Sequence, residues 1–226
     1  MQHPDSMQKL TRTVFIATSL LLIIAGAAWA IRLHTMVRSQ PTVQPIDNAL
    51  GGFPMPGDSA PDFNLTDQFG HAVTLSSLRG REVVLAFIDS RCTSICPLTA
   101  SIMYDARTNL TAKEASQVAL VAVNANPAAT SIAEVQAWSI KHGMLHQWSF
   151  LTGTAKQLQS VYHQYGVYDQ VSAGGQVIHD PVMLVIDAQG RERLYFETLD
   201  SSSKSDLSSE ISGLEDGLRQ WLPQPH

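Results

Sequence analysis

Six apolar residues, Val83 to Ile88, run without interruption into the loop Asp89-Ser90-Arg91-Cys92-Thr93-Ser94-Ile95-Cys96-Pro97, which holds the only two cysteines of the chain. A continuous apolar run of this length reads as a strand covered on both faces. Pro97 reads as the opening of a helix, because its locked φ and missing N–H suit the first helical position. The two sulfurs therefore sit where a buried strand hands over to a helix. There the unpaired N–H groups and the positive end of the helix dipole favour a thiolate, and Cys96, beside the helix start, is expected to carry it. Arg91 is expected to favour a thiolate at Cys92 in the same way.

A chain of 226 residues, 44% apolar and 15% charged, describes one globular domain with extensions. A net charge of −5 with no basic run gives no footing for nucleic acid. Residues 1–13 form a short tail. Residues 14–31 carry no charge and are bounded by Lys9 and Arg12 before and Arg32 after. They read as one transmembrane helix near the minimum spanning length. A cleaved signal peptide with Ala28-Trp29-Ala30 as its processing site is the other reading. Basic residues are balanced on the two sides, so the positive-inside rule does not fix the orientation. Residues 32–58, dotted with Pro41, Pro45, Gly51, Gly52, Pro54, Pro56 and Gly57, read as a flexible linker. Met55 is taken as a linker residue.

Residues 59–226 are long enough for one well-buried core. Short strands are expected within residues 60–75, then a helical turn from Ser76 to Arg79 closed by Gly80. Val118 to Val123 is a second doubly covered strand. Ser131-Ile132-Ala133-Glu134 and Thr154-Ala155-Lys156-Gln157 are capping boxes whose helices end near Gly143 and Gly166. Val182 to Ile186 and Arg191 to Phe196 flank the turn Asp187-Ala188-Gln189-Gly190 and read as a hairpin. Leu207, Ile211, Leu214, Leu218 and Trp221 trace the face of a last helix, stopped by Pro223. Strands alternating with helices predict an α/β fold, a mixed sheet flanked by helices, with its site beyond the carboxyl ends of the strands. Trp138, Trp148 and the tyrosines fall at periodic apolar positions and read as core. His71, His142, His146 and His163 show no metal spacing with the cysteines and read as surface residues.

Ala60-Pro61-Asp62-Phe63 with Leu75-Ser76-Ser77-Leu78-Arg79-Gly80 resembles the opening of thioredoxin-like proteins. Cys92-x-x-x-Cys96-Pro97, Phe150-Leu151-Thr152-Gly153-Thr154, Tyr165-Gly166-Val167 and His179 eight residues before Asp187 resemble the Sco/SenC family. The resemblance implies a thioredoxin-like fold tethered to the bacterial cytoplasmic membrane, with the domain on the outer side. It implies copper, Cu(I) or Cu(II), held by Cys92, Cys96 and His179, and delivery to the subunit II copper centre of cytochrome c oxidase. Independently of the family, two thiolates and an imidazole are a soft donor set, and no second cysteine pair exists to complete a structural zinc site.

The chain departs from the family pattern at Thr93-Ser94, at Ile178, and at Asn124-Ala125-Asn126-Pro127, each of which removes carboxylates from around the expected metal. Asp89 and Asp180 are the residues that could replace them. Pro181 falls where thioredoxin-like redox proteins carry a cis-proline. With Pro181, the cysteine pair supports the alternative of a thiol-disulfide oxidoreductase acting through Cys92 and Cys96 on the cysteines of a partner. A structural disulfide is the plainest alternative. A peroxiredoxin is not supported, because neither cysteine has the proline and threonine that such enzymes place before theirs.

Overall fold

The computed structural model describes residues 52–167, 169–171, 177–179, 182–198 and 204–223; of 169–171, 177–179 and 204–206 it gives the backbone path only. The strands are β1 (Phe53–Pro54), β2 (Asn64–Thr66), β3 (Ala72–Thr74), β4 (Glu82–Ile88), β5 (Val118–Asn124), β6 (Ser149–Leu151), β7 (Asp169–Val171), β8 (Val177–His179), β9 (Val182–Ile186) and β10 (Glu192–Glu197). The helices are α1 (Ile95–Thr108), α2 (Ala112–Ser116), α3 (Ile132–Lys141), α4 (Ala155–Gln164) and α5 (Lys204–Trp221), with a 3-10 turn at Ser76–Leu78.

Six strands form the central sheet in the order β1-β10-β9-β4-β5-β6. β4, β5 and β6 run parallel, while β9 lies antiparallel to β4 and β10 antiparallel to β9. The two runs read as doubly covered strands sit at its centre, with every residue of β4 and β5 buried. Their alternation feeds two cores. Val84, Ala86 and Ile88 face α1, α3 and α5, whereas Val83, Leu85 and Phe87 face α4 and the β2–β3 hairpin.

The helices follow their sequence signals. Ser131 caps α3 and Thr154 caps α4 through the amides of Glu134 and Gln157. Gly143 and Gly166, at φ of 70° and 64°, close those helices in the left-handed conformation that glycine adopts without strain. Leu214 and Leu218 of α5 are fully buried, and Leu207, Ile211 and Trp221 pack beside them.

The sheet begins before Ser59. Phe53 and Pro54 pair with Tyr195 and Leu194, the Met55 amide donates to the Arg193 carbonyl, and Met55 packs on the core. The last residues read as linker are thus the sheet's edge strand. The first turn of α1 also starts earlier than Pro97, which falls at its third position. Residues 14–31, Asp180 and Pro181 lie outside the described residues. Among the described residues no helix is long and apolar enough to cross a membrane.

Candidate metal centre

β4 ends at Ile88, and the chain turns through Asp89 to Ser94 before entering α1. Ser94 is the N-cap of α1, yet its side chain makes no capping hydrogen bond and the first turn holds no acidic residue. The leading amides of a helix lack intrahelical partners. Here the backbone N–H groups of Ser94 and Cys96 point at the Cys92 sulfur, and the Ser94 hydroxyl lies 3.8 Å from it. The sulfur of Cys92 thus takes the role of a capping acceptor.

The cysteines are in the dithiol form, Cys92 half-buried and Cys96 1% exposed. The Cys96 thiol hydrogen-bonds to Cys92, and this contact, helped by the two amides, lowers the Cys92 pKa to about 5. The same contact, with burial and the negative charge of Cys92, pushes the Cys96 pKa far up. The charge expected on Cys96 therefore sits on Cys92. The helix start does favour a thiolate, but its amides converge on the sulfur ahead of the helix rather than the one within it. Arg91 is not the cause. Its guanidinium turns to Glu134, at 2.7 Å and 3.1 Å, and to the Ala128 carbonyl at 3.3 Å. Glu134 accepts from Arg91 and from the Ser131 hydroxyl, so the box at the start of α3 is only half formed on its own helix.

Trp138, read from the sequence as core, is 5% exposed and also backs the site: its indole N–H donates to the Cys92 carbonyl at 3.4 Å. His142, read as a surface residue, lays its ring against Trp138 at a centroid distance of 4.1 Å. Burial holds it below the usual histidine range. The ring contact is the i, i+4 neighbour relation at the end of α3; what the sequence did not show is that Trp138 also reaches the cysteine loop, which depends on how α3 crosses it.

Below the cysteine loop lies a buried polar cluster. Asp89 is 6% exposed and Asn124 and Asn126 are 0% and 1% exposed. Asp89 Oδ1 accepts from the Arg91 amide at 2.8 Å and from Asn126 Nδ2 at 3.0 Å, and the Asp89 carbonyl accepts from the Cys92 amide at 3.0 Å. Asn124 Oδ1 accepts from the Asn126 amide at 3.2 Å, and the Tyr162 hydroxyl donates to the Asn124 carbonyl.

His179 ends β8, its backbone opposite Asp169. β9 begins at Val182, and Met183 pairs with Ala86 near the carboxyl end of β4. His179 and Val182 are three chain steps apart, a span of at most about 11 Å. Topology thus brings His179 to the end of the sheet that carries the cysteine loop; its side chain lies outside the described part. Among the described residues no group of three or more His, Cys, Asp or Glu side chains could hold a metal ion.

The comparisons with known proteins agree with this architecture. No curated protein sequence matches the chain. Arabidopsis thaliana ScoI with copper bound has a TM-score of 0.61 at 21% identity, over 73% of this chain and 100% of its own. Apo Sco1 from Thermus thermophilus has a TM-score of 0.63 at 22% identity, over 76% and 96%. BsSco, described with a disulfide switch and as a member of the Sco family of cytochrome c oxidase assembly proteins, has a TM-score of 0.55 at 20% identity, over 70% and 94%. These likenesses identify the mixed sheet as the thioredoxin-like fold expected from the sequence. The SCO1/SenC family profile matches residues 54–213, from the edge strand into α5, and on that match the chain belongs to the SCO1/SenC family.

Proposed function

We propose that this protein is a membrane-tethered copper carrier that supplies a respiratory oxidase, at the subunit II copper centre of cytochrome c oxidase, during assembly. Cys92 and Cys96 serve as thiolate ligands and His179 as the third. The observation that carries the reading is the pair itself: two free cysteines in hydrogen-bond contact, Cys92 half-buried and Cys96 buried, where β4 hands over to α1. Two adjacent sulfurs are soft donors that suit Cu(I), and binding an ion there displaces the proton they share. Copper is the cargo in this reading, and three protein ligands leave one side open to an acceptor. Residues 14–31 supply the anchor and hold the domain on the outer face of the membrane.

The test is titration of the reduced full-length chain in detergent with Cu(I) and Cu(II), followed by metal analysis. One copper per chain is expected, lost in Cys92→Ser and in Cys96→Ser. Retention of copper by both variants, or none by the parent, overturns the reading.

The asymmetry of the pair favours a second reading, a thiol-disulfide oxidoreductase acting on a partner's cysteines. A half-buried Cys92 with a pKa of about 5, beside a buried protonated Cys96, provides an attacking thiolate and a resolving thiol. Turnover on a disulfide substrate by a chain that retains no copper would make this the main role.

A further inference from the structure

We propose that Asp89 is the positioning residue of the cysteine pair, fixing the turn that presents Cys92 to the first amides of α1 by clamping it to the loop between β5 and α3. The inference rests on the Cys92–Cys96 pair being the working site.

Asp89 directly follows β4, where the sequence named it only as a carboxylate that could replace those missing around the expected metal. A carboxylate at this depth must be hydrogen-bonded to persist. Its partners belong to two separate segments. One oxygen takes the Arg91 amide at 2.8 Å, forming a turn closed by its own side chain, and the same oxygen takes Asn126 Nδ2 at 3.0 Å. Its carbonyl takes the Cys92 amide at 3.0 Å, so both residues following Ser90 are held from Asp89. Asn126 is itself fixed: its amide donates to Asn124 Oδ1, and its Oδ1 accepts from the Ala128 amide at 2.9 Å. Arg91 closes the clamp from outside through the Ala128 carbonyl and Glu134. The loop carrying Cys92 is thereby pinned to the β5–α3 loop on both sides of Asp89's turn. Releasing the inner pin frees the Cys92 sulfur to leave the α1 amides and Cys96 together.

Two assays on the full-length chain test this. The first is Cu(I) affinity against a chromophoric competitor. The second is the dithiol–disulfide equilibrium of metal-free protein in a glutathione buffer, which reports how closely the two sulfurs are held. Asp89→Ala is expected to weaken Cu(I) binding roughly 10- to 100-fold, as loss of a group that orients a ligand does. It is also expected to change the disulfide-formation constant at least about fivefold, because loss of proximity disfavours the disulfide and loss of the amide-stabilised thiolate disfavours the dithiol. Asp89→Asn keeps the accepting oxygen and is expected to restore both to within about threefold of the parent. An Asp89→Ala chain like the parent in both assays overturns the proposal. So does an Asp89→Asn chain as impaired as the alanine variant, because charge rather than position would then be responsible. If Asp89→Ala does not fold, Asn126→Ala removes one pin and is read in the same assays; there weaker Cu(I) binding with a changed disulfide-formation constant supports the proposal and no shift overturns it. A parent chain that binds no Cu(I) but shows the glutathione shift in Asp89→Ala defeats the copper reading and leaves the positioning role standing.

Discussion

The Cys96 thiol donates its hydrogen bond to the Cys92 sulfur, so a single shared proton separates a pKa of about 5 from one pushed far above the ordinary thiol value. Alkylation at neutral pH should therefore mark Cys92 alone. Its rate should rise with pH about a midpoint near 5, followed by mass spectrometry after timed quenching. The pKa of Cys92 is lower in the folded chain than in the unfolded one. The stability it contributes is thus complete above the ordinary thiol pKa and lost as pH falls through about 5. Cys96→Ala removes the donor, and the Cys92 midpoint should move up by at least about one unit. Equal labelling of both cysteines at pH 7 would contradict the assignment.

Arg91 gives a sharper contrast. Its guanidinium is spent on Glu134 and the Ala128 carbonyl, not on Cys92. Arg91→Ala should leave the Cys92 alkylation midpoint within about 0.3 units of the parent. The ion pair is largely exposed, so its loss should cost only about 0.2–1 kcal/mol in chemical denaturation. An upward move of a full unit would restore the role the sequence suggested for this arginine.

Glu82, the first residue of β4, is fully buried, and neither of its carboxyl oxygens has a hydrogen-bond partner. Burial, with Asp187 nearby, raises its pKa to about 9. Since the folded value lies above the ordinary 4.5, the neutral carboxyl's contribution is complete below that pH and disappears as pH rises through about 9. Glu82→Gln should match the parent near pH 5 and exceed its stability by roughly 2–4 kcal/mol near pH 9, measured by urea unfolding across that range. Parallel stability profiles would mean that Glu82 ionises freely.

His179 is the proposed third ligand, on the family resemblance and its place ahead of β9. His179→Ala should weaken Cu(II) far more than Cu(I), because imidazole matters more to the harder ion than to one already held by two sulfurs. Absorption of the Cu(II)-loaded chain reads this directly, and an unaltered spectrum would remove His179 from the ligand set.

The sheet was legible because its central strands are unmixed apolar runs and its helices carry serine, threonine and glycine at their ends. Where the cysteine pair lies in the chain was legible for the same reason: a buried strand met a helix start at Cys92 to Cys96. What could not be read was which sulfur the helix amides serve. That depends on the path from Asp89 to Ser94, which is set by side-chain bonds to Asn126, 37 positions away. The edge strand was hidden because Gly51, Gly52, Pro54 and Pro56 imitate a linker. Pro54 is tolerated there since an edge position need not donate on both sides. The short helix α2 also escaped notice, although Thr111 and Glu114 form a complete capping box around it.

That edge strand has a further consequence for how the molecule behaves in a crowd. β1 is two residues long, and Pro54 has no amide hydrogen to offer a neighbour; β6, at the opposite margin, is three residues long, and the following Thr152 bridges back to Thr66. Among the described residues neither margin presents the long row of unsatisfied backbone groups on which another copy could template. The sheet is blunted against fibril-like stacking, so concentrated preparations should cloud only when the domain itself unfolds.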